Sequence, residues 1–574
     1  MTTLQFCVTG ANLIEDLTRA SEQLDFVSQE EVPAGARTIG ACASGSYRGF
    51  VRRWDLIVVL LVILLCAAIR WRLRDMPLER DEGEYGYAGQ LILQGIPPYQ
   101  IAYNMKLPGT YAAYAMIMAV FGQTAAGIHI GLLFVNALTI LLVYALGKRL
   151  FGALGGVVAG ATYGLLSVGP WVNGFAGHAT HFVVLFATAG VLLLLKAIEQ
   201  DSNSKIFAAG LLLGLAFLMK QPGIAFGLFA ALYLLKSGGW RKEKLRQSLR
   251  RFAWFGIGSA LPFGITCLIL WRAGVFAKFW FWTFSYAYQY GTNLSRHEGC
   301  QLFAKNFPKA SLSAIALWLL AALGLTTFLW SRKARDHARF LLGLLFFSAV
   351  AVSAGLYFRP HYFILLLPAV SLLVGLVISS AAELADQGKR RVLHYAAVAV
   401  FAIAFASSLF QEKYFFFQAD PTSASRYAYP DDPFAESVEV GKYIQEHSSA
   451  SARIAVLGSE PQIMFYSRRR SATGYLYAYS LTEEQKYAAT MQQEMISEIE
   501  PARPEYLLFV QDWEFRPRSD TTILAWYRKY VGQNYELVGV MRTRDGLQFR
   551  SGDEIRRAPG HMWAAILLFR RKTP

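Results

Sequence analysis

Long apolar runs separated by short polar breaks dominate the chain. A helix rises about 1.5 Å per residue and the hydrocarbon core is about 30 Å thick. Runs long enough to cross fall at 54–72, 125–147, 153–171, 180–198, 252–271, 311–330, 340–358, 361–380 and 392–410. The stretch 204–236 is interrupted by Lys220-Gln221-Pro222-Gly223 and reads as two short helices meeting at a break. The pattern predicts a polytopic α-helical membrane protein of about eleven spans. Tyr111 to Phe121 is shorter and is expected to lie along the membrane surface.

Beyond residue 410 the pattern changes. Pro430-Asp431-Asp432-Pro433 opens a segment with no spanning run. In it Ser437 to His447 and Leu481 to Glu500 read as helices, and Arg453 to Gly458 and Glu505 to Val510 as buried strands, which predicts a small α/β domain. The Gly458-Ser459-Glu460 turn is not a glycine-rich phosphate loop. Arg468-Arg469-Arg470 reads as a solvated basic turn. The first 50 residues mix Glu, Asp, Ser and Gly, lack the basic start and apolar core of a signal peptide, and are expected to form a mobile cytoplasmic tail. The expected layout is a tail over 1–50, a membrane domain over 51–410 with a polar loop at 73–124, and an extracytoplasmic domain over 411–574.

Composition agrees: 54% of residues are apolar and 17% charged, too greasy for a soluble protein of 574 residues. The net charge of +16 does not point to nucleic acid, because the basic residues cluster between apolar runs. Arg52 and Arg53, Lys148 and Arg149, the series from Lys236 to Arg251, the series from Arg332 to Arg339, and Lys389 to Arg391 all fall on one side of the counted spans. That side is expected to be cytoplasmic, which turns the loop at 73–124, the aromatic loop at 276–308 and the α/β domain outward. The five cysteines are scattered, with neither a disulfide framework nor metal-ligand spacing.

The outward loop holds the densest chemistry. It reads Asp81-Glu82-Gly83-Glu84-Tyr85, then Pro97-Pro98-Tyr99 and Lys106-Leu107-Pro108. A charge at the centre of a membrane helix costs about 2.5–3.5 kcal/mol or more, so ionisable groups beside the hydrocarbon demand a function. On a regular helix Asp81 and Tyr85 share a face while Glu82 turns about 100° away, which favours Asp81 as a base and Glu82 as its structural partner. The ordinary reading of these acids is a helix start stabilised by the dipole at about 0.3–1 kcal/mol, and that of Lys106 is an interfacial lysine reaching for headgroups. Arg359 and His361, within Tyr357-Phe358-Arg359-Pro360-His361-Tyr362, and Lys220 at the helix break supply further groups able to face an anion. Trp280, Trp282, Tyr286 and Tyr288 read mainly as an interfacial belt. His178 and His181 share a helix face, for which core packing is the better reading than a metal pair. Arg296, His297 and Glu298 fall in the aromatic loop without a ranked role.

Asp81-Glu82-x-x-Tyr85, Gly95, Pro98-Tyr99 and Lys106-x-Pro108, followed by Leu146-Gly147-Lys148-Arg149-Leu150-Phe151-Gly152, resemble the amino-terminal half of the GT-C membrane glycosyltransferases. The nearest group is the protein O-mannosyltransferase-like family 39, which is similar to the bacterial enzymes that transfer aminoarabinose to lipid A. Leu211 to Pro222 and Tyr357 to Tyr362 also resemble that group, and the resemblance spans roughly residues 54–410. It implies an inverting transferase in the cell membrane that takes a sugar from a polyprenyl phosphate and gives it to a lipid, glycan or protein acceptor outside the cytoplasm. Asp81 and Glu82 would lie at the reacting centre, and Lys106, Tyr85, Lys220, Arg359 and His361 on the donor-phosphate side. Two departures stand out. Many relatives carry a second acid where this chain reads Gly177-His178-Ala179-Thr180-His181, and the usual Lys-Pro-Pro is Lys-Leu-Pro. No cofactor is required by this reading. A divalent metal is compatible with it, though the missing second acid weakens that role. Two other classes fit the same residues: a carrier for lipid-linked glycans, and a catalytically lapsed scaffold.

Overall fold

Leu56, Leu60, Leu61 and Leu64 are each at least half exposed along one side of helix α1 (Trp54–Arg72), while Val59, Val62 and Cys66 on the other are buried. Leucines in such numbers are stable on a surface only when that surface meets lipid. The computed structural model describes residues 54–237, 242–510, 522–541 and 566–572. The expected tail at 1–50, with Arg52, Arg53 and Arg241, lies outside the described residues. From Asp55 onward the chain forms one unit.

After α1 come α2 (Arg80–Leu93), α3 (Gly109–Phe121), α4 (Ala125–Phe151), α5 (Ala153–Leu166), α6 (Ala179–Glu199), α7 (Asn203–Met219), α8 (Ile224–Ser237) and α9 (Lys242–Arg272). They are followed by α10 (Arg296–Leu312), α11 (Ile315–Trp330), α12 (Ala338–Val352), α13 (Leu367–Gln387) and α14 (Arg391–Gln411). Among the described residues six stretches are by themselves long and apolar enough to cross: Trp54–Arg72, Ala125–Phe151, Ala179–Glu199, Arg246–Arg272, Pro360–Gln387 and Arg391–Gln411. A seventh span results if α10 and α11, bent by 106° at their junction, are counted together. The other runs counted as crossings are the short helices α5, α7, α8 and α12, so the pattern found the apolar helices but overstated the lengths of several. Helices α7 and α8 do meet at the Lys220–Gly223 break.

The basic clusters gather at one end of the bundle. Lys148 pairs with Asp55 at 2.8 Å, Arg149 with Glu199, Arg251 with Asp201 at 2.5 Å, and Lys333 with Glu383 at 2.6 Å. Helix α1 starts at that end and leads to α2 at the other.

The carboxyl-terminal part begins with α15 (Phe434–Glu446) and adds β1 (Arg453–Leu457), α16 (Gln462–Ser467), β2 (Arg470–Ser471), α17 (Ala488–Ala502), β3 (Tyr506–Val510), α18 (Thr522–Asn534), β4 (Tyr535–Met541) and β5 (Ile566–Arg571). The sheet order is β2-β1-β3-β5-β4, with β1 parallel to β2 and β3, and β5 antiparallel to β3 and β4. Both strands expected from the pattern are present, and Val456 aligns with Leu508 in the buried centre. The arginine triplet is the exposed turn expected at Arg468 and Arg470, but not at Arg469. Arg469 is buried and donates to the carbonyls of Gln445 (2.8 Å) and Ser448 (2.9 Å), capping the end of α15.

Helix α2 is clamped by this domain. Arg80 donates to the Ser459 carbonyl (2.7 Å) and pairs with Glu460 (2.6 Å) and Asp432 (3.1 Å), while the Leu78 amide donates to the Tyr466 hydroxyl at 2.8 Å. The turn that holds no phosphate loop is thus the anchor for α2. Two glycines permit the close approach: a Cβ at Gly83 would lie 2.5 Å from the Gln462 amide nitrogen, and one at Gly86 2.9 Å from the Phe465 ring. Gly83→Ala is expected to destabilise the docking by about 1–3 kcal/mol, the usual cost of overpacking. Limited proteolysis within the carboxyl-terminal domain reads this out, and unchanged protection would refute the close-packing argument.

Candidate active site

Glu79 caps α2: its side chain accepts from the Glu82 amide at 2.8 Å, and Glu82 returns a bond to the Glu79 amide at 3.2 Å. Asp81 and Glu82 therefore sit in the first turn, where the helix dipole favours negative charge. Their side chains diverge. Glu82 is fully buried, meets His129 Nε2 at 3.1 Å and accepts from the Gly177 amide at 2.5 Å. Burial disfavours its charge, yet His129 and these hydrogen bonds hold its carboxyl below the usual range. Glu82 ties α2 to α4 and to the entry of α6.

Asp81, Glu84 and Tyr85 share the other face, as spacings of three and four residues require. Lys106 Nζ lies 2.5 Å from Asp81 Oδ1 and 2.6 Å from Glu84 Oε2. Its third neighbour is the Tyr477 hydroxyl at 3.4 Å, and the ammonium also lies over the rings of Tyr85 (4.7 Å) and Tyr477 (5.2 Å). All three of its donor directions are engaged. Glu84 accepts in addition from Asn104 Nδ2 at 2.9 Å, from Tyr477 at 2.8 Å and from the Tyr111 hydroxyl. Burial opposes ionisation of Asp81, but Lys106, His178 and His361 together hold its carboxyl well below the ordinary carboxylate range. At Glu84 burial wins over Lys106, and its carboxyl is raised.

The second oxygen of Asp81, Oδ2, faces His178 Nδ1 at 3.6 Å and His361 Nε2 at 3.9 Å. These three side chains could in principle hold a metal, since their ligand atoms lie within 4.8 Å of one another. Ring geometry argues against it. The two imidazoles stack face to face, with centroids 4.0 Å apart and planes 12° from parallel. An imidazole lone pair lies in its ring plane, so two stacked rings do not direct lone pairs at one ion. The residues as arranged do not fit a divalent metal. Both nitrogens of His178 are buried without a hydrogen-bond partner among the described residues, while His181 engages the Gly174 carbonyl at 2.8 Å. The histidine pair read as packing is therefore split, with His178 facing Asp81.

Two more cations approach from other elements. Lys220, between α7 and the break, makes no ion pair or side-chain hydrogen bond among the described residues, and its ammonium lies 4.2 Å over the Tyr362 ring. Burial, with help from the charges of Lys106 and Arg359, lowers its pKa to about 7. Arg359 donates to the Tyr290 hydroxyl at 3.3 Å, and Tyr290 stacks on Tyr357 at 4.4 Å. Leu356 and Phe358 hold left-handed φ of 61° and 44°, a conformation costly for such side chains, in the turn that presents Arg359 and His361.

The structure thus gathers Asp81, Tyr85, Lys106 and His361 with Lys220 beside them, and turns Glu82 away. Glu84, Asn104, Tyr111, His178 and Tyr477 join them without having been singled out as site residues. Glu84 was recoverable from its spacing to Asp81. Tyr477 carried no local signal, because it is 393 residues from Glu84. Of the aromatic loop, Trp280 and Tyr288 are exposed whereas Trp282 and Tyr286 are buried, so only the first two suit a belt. Glu298 caps α10 through Ser295.

The comparisons give this architecture, a polytopic bundle with an α/β domain, the GT-C fold. Residues 106–271 match the family model for dolichyl-phosphate-mannose-protein mannosyltransferase. Among solved structures, ArnT from Cupriavidus metallidurans bound to undecaprenyl phosphate is similar, with a TM-score of 0.58 and 14% identity over 90% of this chain and 97% of that one. The archaeal oligosaccharyltransferase AglB from Archaeoglobus fulgidus, in complex with an inhibitory peptide and a dolichol-phosphate, is also similar, with a TM-score of 0.54 and 11% identity over 91% of this chain and 89% of that one. No curated protein sequence matches the chain. The resemblance carried by the loop motifs is matched by the fold, and the chain is an integral membrane protein of GT-C architecture.

Proposed function

We propose that this chain transfers a sugar from a polyprenyl-phosphate donor to an acceptor on the outer face of the membrane, with Asp81 as the base. The observation that carries this reading is the unequal pair of carboxylates. Glu84 accepts from four donors, whereas Asp81 spends Oδ1 on Lys106 and turns Oδ2 toward the imidazoles of His178 and His361. Orientation follows from charge: the ion-paired basic end suits the cytoplasm, which turns α2 outward. ArnT and AglB, which share the fold, were solved with polyprenyl-type phosphates, which supports a lipid-borne donor.

The acceptor hydroxyl attacks the anomeric carbon while Asp81 Oδ2 takes its proton. The bond from that carbon to the phosphate oxygen breaks, and polyprenyl phosphate departs with the electron pair. Lys220 and Arg359 neutralise it, while Lys106, already engaged, holds the base. With one carboxylate available the displacement is single and the anomeric configuration inverts. Purified protein in nanodiscs, supplied with polyprenyl-phosphate sugars and envelope acceptors, is expected to release polyprenyl phosphate in step with a glycosylated product. Movement of the lipid without bond formation would indicate a carrier instead.

Lys220 makes the donor side pH-dependent. Its charged form binds phosphate and exists below its pKa of about 7, so kcat/KM for the donor should fall as pH rises through that value. Lys220→Arg keeps the charge and should extend the plateau upward, because arginine stays protonated. An alkaline limb unmoved by this substitution would remove Lys220 from the donor site.

A further inference from the structure

Two carboxylates three residues apart on one helix compete for a single ammonium, and the group that decides between them comes from the other end of the chain. The segment after β2 lies along the catalytic loop: the Tyr103 amide donates to the Gly474 carbonyl at 2.6 Å, and the Ser471 amide to the Tyr87 hydroxyl at 2.8 Å. Tyr477, nearly buried, follows directly on this contact. Its hydroxyl lies 2.8 Å from Glu84 Oε2, 3.3 Å from Asp81 Oδ1, 3.3 Å from the Arg80 carbonyl and 3.4 Å from Lys106 Nζ. A phenol has one proton, and the shortest of these contacts directs it to Glu84. Its oxygen then accepts from Lys106.

We infer that Tyr477 is a positioning residue, supplied by the α/β domain, which saturates Glu84 and steers Lys106 so that Asp81 alone remains able to accept a proton. The inference rests on the reading of Asp81 as base. Without this hydroxyl Glu84 loses one of its four donors and draws Lys106 toward itself, and Asp81 loses the partner that fixes Oδ1. Docking of the α/β domain thereby becomes a condition for a competent base.

The groups that bear on the titration are Lys106 from the loop, Tyr111 from α3, His178 before α6, Lys220 after α7 and His361 before α13, with Glu79 and Glu82 on the same turn as Asp81. Tyr477→Phe changes none of them and removes only the hydroxyl. In the full-length protein it is expected to lower kcat about ten- to a hundredfold, the scale of one lost hydrogen bond to a charged group, with donor KM within twofold. The acid limb of the kcat/KM profile should move to higher pH, since Asp81 loses the ammonium that supports its ionised form. Tyr475→Phe is the companion variant. Its hydroxyl meets Glu494 at 2.6 Å in the same segment, away from Asp81, and its loss should leave the acid limb in place. Equal falls in kcat for both variants with neither limb moved would mean that the segment is merely structural, and the inference would be wrong. An unchanged Tyr477→Phe enzyme would overturn it equally. If Asp81→Asn is inactive in either case, only this inference fails, whereas an active Asp81→Asn removes the base itself.

Discussion

Asp81→Asn should insert and fold like the parent protein but lose about 10²–10⁴ in kcat, the usual contribution of a positioned general base. The amide preserves the size of the side chain and can still accept from Lys106, so the clamp on α2 by Arg80 and Gly83 is untouched. It cannot take the acceptor's proton. Glu84 is a poor substitute, because its oxygens are occupied by Lys106, Tyr477, Asn104 and Tyr111. Transfer at a near-parental rate would end the assignment of Asp81, and a loss of folded protein would make the variant uninformative about chemistry; Glu82→Gln separates these. Glu82 holds His129 and the Gly177 amide rather than joining Asp81 and Lys106, so its substitution should cost stability more than it costs kcat per folded molecule.

Lys106→Ala is the second large effect, and it differs from what the Lys-x-Pro motif suggests. A lysine near a donor phosphate would mainly raise donor KM when removed. Here the ammonium is committed to two carboxylates, and its loss leaves both in a largely buried site without a counterion. Breaking such a pair costs about 3–5 kcal/mol. The pH dependence carries the sign. The carboxyl of Asp81 is held below its unfolded value near 4, so its contribution to stability is present above that value and is lost as pH falls through the lower folded value. In Lys106→Ala this contribution disappears at neutral pH, and the parent and variant melting temperatures should converge as the medium is acidified. A variant with normal stability and kcat but raised donor KM would return Lys106 to the phosphate.

The helices were legible because a bilayer imposes one rule over long stretches of chain, and apolar run lengths record it. Span length was less legible: among the described residues α5, α7, α8 and α12 are shorter than the six long apolar spans, and α11 meets α10 at a 106° bend that its apolar run does not record. At the site, the placing of Asp81 and Glu82 on different faces of α2 followed from helical spacing. The roles of the cations did not. Lys106 and Lys220 look alike as lysines beside polar turns, yet one is enclosed by three partners and the other rests on Tyr362. That difference is created by folding Tyr477 and Glu84 against the loop, which no local pattern records. The same holds for Arg469, whose burial depends on the carbonyls at the end of α15.

The most direct measurement is the position of bound polyprenyl phosphate in a structure of the complex. The account predicts its phosphate between Lys220 and Arg359, within reach of Asp81 Oδ2 and with the isoprenoid chain leaving into the membrane. A phosphate bound instead at the opposite end, among Lys148, Arg149 and Lys333, would contradict it.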